Sequence, residues 1–328
     1  MSSPGATITF SLSRLRALFQ GPIVALAALV LVLGLTTPAF FKVLNFINIL
    51  NQITVWGLLA LGMTLVIITG GIDLSVGSVM ALTMMILGWS FKALGLPFGI
   101  AILLALAVGA LCGLINGLMI TRLRLPPFIA TLAMMYMSRG VANIITNGKN
   151  ILGFPIWFSL MPYKKYFHVA SLTTVIFLGL ALLLGLVMAK LPSGRSLYAV
   201  GGNEEVARLA GISITKVLVS TYTVCGLFSG LAGVTLASRM NSSYPQSAFL
   251  GYEMYAIAMA VIGGASLKGG KGAIGGTLIG ALFIGCVNNG LNLNNVNTHV
   301  QSIALGVIVV LAIVIDLTSR SRKRLAHA

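Results

Sequence analysis

A small set of polar side chains lies inside the long apolar stretches of this 328-residue chain. The members that we select as candidates for binding a solute are Gln52, Asp73, Ser75, Asn116, Arg139, Asn288 and Asn289. Amides, hydroxyls and isolated charges can bind a neutral, hydroxyl-rich solute by donor–acceptor pairing. The set contains no nucleophile–base pair, no metal-ligand cluster and no chain of carboxylates suited to ion coupling. It therefore predicts neither a catalytic site nor a metal site.

These residues also have simpler interpretations, which the sequence leaves open. Asp73 can cap the helix that follows it. Arg139 can extend its charged head to the nearest aqueous boundary. The asparagines can form hydrogen bonds between neighbouring helices.

A second group of polar residues lies in the loop between Lys190 and Lys216. Asn203 is placed to cap a helix, the acidic residues Glu204 and Glu205 fall in its positive first turn, and Gly211 can end it. A helix of roughly two turns is shorter than the ~12 residues that an isolated helix needs in water. We therefore expect a partner protein to hold this helix.

The composition indicates that both groups belong to an all-α, polytopic membrane protein. Hydrophobic residues make up 58% of the chain and charged residues 8%, whereas a soluble domain carries roughly 25% charged residues. We interpret the net charge of +16 as a topology signal rather than as nucleic-acid binding. Hydropathy predicts ten spans, at roughly 21–37, 49–69, 75–94, 99–120, 126–146, 169–190, 214–238, 253–267, 272–291 and 299–317.

The basic residues outside the spans orient the chain. Most of them fall on one side if both termini are cytoplasmic, as the positive-inside rule requires. The predicted organisation is then a cytoplasmic tail (1–20), a membrane domain (21–317) containing a cytoplasmic loop (191–213), and a basic cytoplasmic tail (318–328). The pair Gly70–Gly71 leaves open whether 49–94 contains a cytoplasmic turn or a helix broken within the membrane.

Two features concern packing within the membrane domain. Spans four and nine share a similar glycine and asparagine pattern, which makes a five-plus-five inverted repeat possible. Glycines also recur at helical spacing, which predicts close helix–helix packing. The glycines concerned are Gly226, Gly230, Gly233, Gly272, Gly276 and Gly280.

Several stretches together resemble the permease subunits of bacterial ABC importers for monosaccharides, the ribose, arabinose, xylose and galactose group. They cover residues 57–77, 128–132, 201–212, 263–272 and 288–293. The last stretch, Asn-Asn-Gly-Leu-Asn-Leu, is most similar to the ribose branch. Alternative interpretations are a branched-chain amino-acid permease of the ABC class and a secondary carrier.

The resemblance implies a role for the 191–213 loop. The family pattern Glu-Ala-Ala-x-x-x-Gly is matched by Glu205, Ala207 and Gly211, with Val206 in place of one alanine. It implies a coupling helix that docks on an ATPase, with Ala207 facing that partner. The residues expected to form this coupling element are Gly201, Gly202, Asn203, Glu204, Glu205, Ala207, Arg208 and Gly211.

The resemblance also implies the partners. A cytoplasmic ABC ATPase would bind ATP and Mg²⁺, so this chain would be no enzyme and would hold no cofactor itself. A periplasmic protein would deliver the sugar. A second permease subunit, either another copy or a related chain, would complete the pathway in the bacterial inner membrane.

Overall fold

The computed structural model describes the backbone of residues 12–166 and 170–325, and the side chains of 21–164 and 170–314. Its helices are α1 (Leu12–Thr36), α2 (Val43–Ile68), α3 (Val76–Lys92), α4 (Phe98–Thr121), α5 (Pro127–Ile144), α6 (Ile156–Leu160), α7 (Leu172–Lys190), α8 (Pro192–Gly202), α9 (Glu204–Leu209), α10 (Ile214–Met240), α11 (Tyr252–Ile262), α12 (Ile274–Leu293) and α13 (Thr298–Leu325). Most of the two predicted tails lies outside the described side chains.

The all-α prediction is confirmed, and a helix occupies each of the ten predicted spans. Five helices are long and apolar enough to cross a membrane, namely α2, α4, α7, α10 and α12. Strands are limited, in the described residues, to two short antiparallel pairs. They join β1 (Ile151–Leu152) with β4 (Ser242–Ser243), and β2 (Lys165–Tyr166) with β3 (Ala170–Ser171).

Helix α2 forms the centre of the molecule. It is buried from Ile53 to Ile68 without interruption, and it packs against α10, α11 and α12. A helix that is apolar on all sides belongs in the interior of a bundle, which explains why polar residues along α2 have partners inside the protein.

Close glycine packing, as predicted from the sequence, is confirmed where α4 crosses α10. A Cβ atom at Gly117 would lie 2.7 Å from the Cα of Val219, and one at Gly109 would lie 2.6 Å from the carbonyl oxygen of Gly226. Small residues at these positions let the two backbones touch. Glycines of α12 approach α11 in the same way, with Gly276 against Gly263.

Two membrane segments are interrupted. Helix α11 has 11 residues, about 16 Å, which is too short to cross a hydrocarbon core of about 30 Å. The predicted span 253–267 is therefore wrong at its end, because the helix stops at Ile262 and a non-helical connection follows. A second interruption separates α2 from α3 at Thr69–Ser75.

Candidate functional site

The connection between α2 and α3 turns at the surface and then re-enters the protein. Gly70 has a φ of +84°, and the N–H of Gly71 donates to the carbonyl of Val66 (3.1 Å), a typical glycine-based helix end. Gly70 is exposed, whereas Asp73 and Ser75 are each 1% exposed. The sequence left open whether Gly70–Gly71 marks a turn or a helix broken inside the membrane domain. The structure contains both features in succession. The chain turns at exposed Gly70, and residues 71–75 then pass through the interior without forming a helix.

Asp73, Ser75 and Asn116 form one buried cluster, so three of the predicted residues lie together. Oδ1 of Asp73 accepts from the N–H (2.8 Å) and the hydroxyl (2.6 Å) of Ser75. The Asn116 amide donates to Ser75 Oγ (3.0 Å) and lies 3.5 Å from Asp73 Oδ2. Because Ser75 only precedes α3 and Asp73 accepts from no N–H inside that helix, Asp73 organises the connection rather than capping the helix.

Two further residues line this connection and were not selected from the sequence. The hydroxyl of Thr131, at the start of α5, accepts from the N–H of Leu74 (3.2 Å). A Cβ atom on Gly71 would collide with the hydroxyl of Tyr222, from α10, and this hydroxyl has no hydrogen-bond partner. Thr131 belongs to the 128–132 stretch that carried the family resemblance, but its pairing with the connection depends on the tertiary fold.

A partly buried ion pair lies at the second cluster, where α3 and α11 begin. A guanidinium nitrogen of Arg139 is 3.7 Å from Oε1 of Glu253, and Arg139 Nε donates to the hydroxyl of Ser78 (3.0 Å). The guanidinium also lies 4.9 Å from the ring centre of Phe249. Arg139 therefore points into the protein and does not extend to the aqueous boundary.

Glu253 lies between two helix beginnings. A Cβ atom on Gly77, in the first turn of α3, would be 2.6 Å from Glu253 Oε2 and 3.4 Å from the Glu253 N–H nitrogen. The amino-terminal ends of α3 and α11 both carry positive partial charge, so a carboxylate is favourable there. Glu253 was missed from the sequence because it was assigned to the boundary of a span.

The third cluster joins α2 to α12 near the start of α2, at the opposite end of that helix from Asp73. Gln52 donates to Asn288 Oδ1 (2.5 Å), and Asn289 exchanges two amide hydrogen bonds with Asn45 (2.8 and 2.9 Å). Hydrogen bonding between helices, the simpler of the two interpretations of these asparagines, is therefore observed. Nearby, the rings of Trp56 and Tyr255 stack 4.3 Å apart; neither was selected from the sequence.

The 191–213 loop contains the predicted short helix, α9. The Asn203 side chain accepts from the N–H of Val206 (3.0 Å), and Gly211 has a φ of +81°. The N–H of Ile212 bonds to the carbonyl of Ala207 (3.0 Å), which completes the helix end. Glu204, Glu205 and Arg208 are exposed.

The expected orientation of α9 is wrong at Ala207. Its side chain is 2% exposed and packs against its own chain, whereas Val206 is 60% and Leu209 81% exposed. The apolar side chains that α9 presents to the outside are therefore Val206 and Leu209.

Comparison with known proteins places the chain in a family. The sequence profile described as "Branched-chain amino acid transport system / permease component" matches residues 45–313. The chain belongs to this permease family. No solved structure matches it.

Its relatives include proteins named for sugar import. The ribose import permease of Bacillus subtilis (strain 168) is 42% identical over 90% of this chain and 92% of its own length. The ribose import permease of Escherichia coli (strain K12) is 41% identical over 90% and 93%. The D-allose permease of Escherichia coli (strain K12) is 35% identical over 90% of both chains.

In this permease the loop is part of the packed structure. Helix α8, which precedes α9 in the 191–213 loop, buries Leu197 and Val200. A Cβ atom at Gly201 would collide with the carbonyl oxygen of Ile68, the last residue of α2. That same carbonyl accepts from the N–H of Gly270 (2.8 Å).

Tyr198 of α8 contacts the other interrupted segment. Its hydroxyl donates to the carbonyl of Gly272 (2.7 Å), just before α12. Burial raises the pKa of this phenol above its ordinary value, so it stays protonated and keeps donating. One short helix thus touches both the end of α2 and the connection between α11 and α12.

Proposed function

We propose that this chain is the membrane subunit of an ABC importer for a ribose-like monosaccharide. The observation that carries the proposal is the 41–42% identity, over nearly the whole chain, to proteins named as ribose import permeases. Full-length relatives are also named for D-allose and L-arabinose. The family description mentions branched-chain amino acids, but the relatives favour a sugar over that alternative.

Permeases of ABC importers work with an ATPase and a substrate-binding protein. For this chain we assign the ATPase contact to α9, with exposed Val206 and Leu209 entering a groove on the partner. Gly201, Gly202, Asn203, Glu204, Glu205, Arg208 and Gly211 shape and flank this contact. ATP and Mg²⁺ bind to the partner, and this chain binds no cofactor.

The proposed mechanism uses the contacts of α8. Movement of α8 and α9 with the ATPase would displace the end of α2 and the connection before α12, because backbone atoms touch there and leave no space to absorb the shift. Both connections adjoin interrupted helices. Discontinuous helices commonly form the substrate sites of transporters.

The candidate pathway residues keep their assignment under this proposal. They are Gln52, Asp73, Ser75, Asn116, Arg139, Asn288 and Asn289, which form three clusters. A second permease subunit completes the pathway. The termini and the 191–213 loop face the cytoplasm from the bacterial inner membrane.

The substrate is tested by competition. Cells that express the chain with its binding protein and ATPase are given labelled ribose together with an excess of unlabelled ribose, arabinose, galactose or leucine. The proposal expects pentoses to compete most strongly and leucine not at all. Uptake of labelled leucine but not of labelled ribose by the same cells would support the amino-acid alternative.

A further inference from the structure

A preformed groove lies beside the crossing of α4 and α10, at the membrane face where α4 ends and α10 begins. Its volume is about 460 Å³. The residues that line it are Leu118, Arg122, Thr215, Lys216, Val219, Ser220, Thr223 and Val224. Close contact between Gly117 and Val219 holds the two helices together beside the groove.

Two unpaired cations lie at the rim of this groove. Arg122 follows the last residue of α4, and Lys216 lies in the first turn of α10. Both are exposed. The ion pair found in the described part of the chain joins Arg139 to Glu253, so neither rim cation has a carboxylate partner within 4.0 Å there.

The interior of the groove is mainly apolar. Leu118, Val219 and Val224 provide its hydrocarbon surface. The hydroxyls of Ser220 and Thr223 donate to carbonyls of their own helix (3.0 and 2.7 Å). The groove therefore offers a polar solute few hydrogen-bond donors beyond the two cations. An amphiphile would match both the cationic rim and the apolar interior.

We propose that this groove binds one anionic phospholipid of the adjoining leaflet. Its phosphate would lie between Arg122 and Lys216, and an acyl chain would cover Leu118, Val219 and Val224. Basic pockets between membrane helices bind anionic headgroups by this combination of charge and apolar depth. The proposal depends on α4 and α10 crossing a membrane and not on which solute is transported.

Lipid retention tests the proposal. The full-length chain is purified, incubated with phosphatidylglycerol or phosphatidylcholine of the same acyl chains, and examined by native mass spectrometry. We expect phosphatidylglycerol to be retained preferentially. Arg122→Gln and Lys216→Gln should each lower its retention about fivefold, the effect of one cation at a membrane surface, and the double variant should abolish the preference.

Two further variants separate charge from shape. Lys190→Gln removes an exposed cation at the end of α7, outside the groove, and should leave retention unchanged. Ser220→Trp fills the groove while keeping both cations, and should lower retention. Equal retention of both lipids by the unmodified chain, or full retention by the double variant, would overturn the proposal.

A protein occupant is the competing outcome. The native cysteines Cys112, Cys225 and Cys286 are all buried, so Ser220→Cys supplies a single accessible thiol in the groove. We expect no crosslink between copies in native membranes. Efficient crosslinking through this position would show that a second copy covers the groove, and the lipid proposal would fail.

Discussion

Asp73 accepts two hydrogen bonds from Ser75 and lies beside the Asn116 amide, all within the buried connection between α2 and α3. An asparagine at this position keeps an acceptor for Ser75 but removes the charge. It also presents an N–H₂ group to the donor of Asn116. The substitution therefore separates a role in transport from a role in folding.

We predict that Asp73→Asn lowers uptake several-fold while the protein still inserts and binds its ATPase. Asp73→Ala should also lower the free energy of unfolding by about 1–3 kcal/mol, because buried donors lose their acceptor. Uptake by reconstituted vesicles and thermal unfolding in detergent measure the two effects. Normal uptake by the asparagine variant would remove Asp73 from the pathway.

The Arg139–Glu253 pair gives a second prediction at the level of residues. Arg139→Gln or Glu253→Gln alone leaves one largely buried charge without its partner. Each should lower the free energy of unfolding, by less than the about 3–5 kcal/mol of a fully buried pair, because the two side chains are 18% and 10% exposed. Changing both residues together should cost less than the sum. Lys149→Gln, an exposed cation elsewhere, serves as the control. Single variants as stable as the unmodified protein would contradict the assigned role of the pair.

Sequence reasoning succeeded for α9 and failed for its surroundings. Asn203 and Gly211 mark the two ends of α9 through local chemistry, which a sequence displays directly. Helix α8 was missed because Gly194, Gly201 and Gly202 disfavour a helix, and burial of neighbouring side chains overrides that preference. Pro192 lies at the first position of α8, where proline is favourable. The side of α9 that faces the membrane domain was misassigned, since Ala207, Val206 and Leu209 are all apolar.

The exposed face of α9 can be tested with a matched pair of variants. Leu209→Asp should greatly weaken co-purification of the ATPase and abolish ATP-dependent uptake, because a carboxylate would be buried at the interface. Leu191→Asp makes the same change at a 48% exposed leucine outside α9 and should leave both intact. Retained ATPase binding by the Leu209 variant would show that α9 does not dock.

Adjacent glycines test the contact between α8 and α2. Gly201→Ala places a Cβ against the carbonyl of Ile68, whereas Gly202→Ala has open space around the new atom. We expect the first variant to lower the thermal unfolding temperature and the second to leave it unchanged. Equal behaviour of the two variants would mean that the α8–α2 contact is not close in the working protein.

At the level of the whole molecule, hydropathy located every long helix because burial in lipid requires long apolar runs. It did not locate the break after Ile262, since the residues that follow remain small and apolar. The candidate polar residues could be identified individually from the sequence. Their division into three clusters depends on tertiary contacts, which the spacing of residues along the chain does not indicate. The five-plus-five inverted repeat stays a prediction.

The orientation of the molecule is a further prediction. Ser193 is exposed in the 191–213 loop, and the three native cysteines are buried. A cysteine introduced at Ser193 should be protected from an impermeant thiol reagent added to intact cells and should react after permeabilisation. Ready labelling in intact cells would reverse the assigned topology.

The most direct test of the central claim is uptake of labelled ribose by proteoliposomes containing this chain and its ATPase. ATP is supplied on the ATPase side and the sugar-binding protein on the opposite side. We predict that ribose accumulates only when ATP, ATPase and binding protein are all present, and that leucine does not accumulate. Accumulation of ribose driven by an ion gradient without the ATPase, or of leucine in its place, would contradict the account.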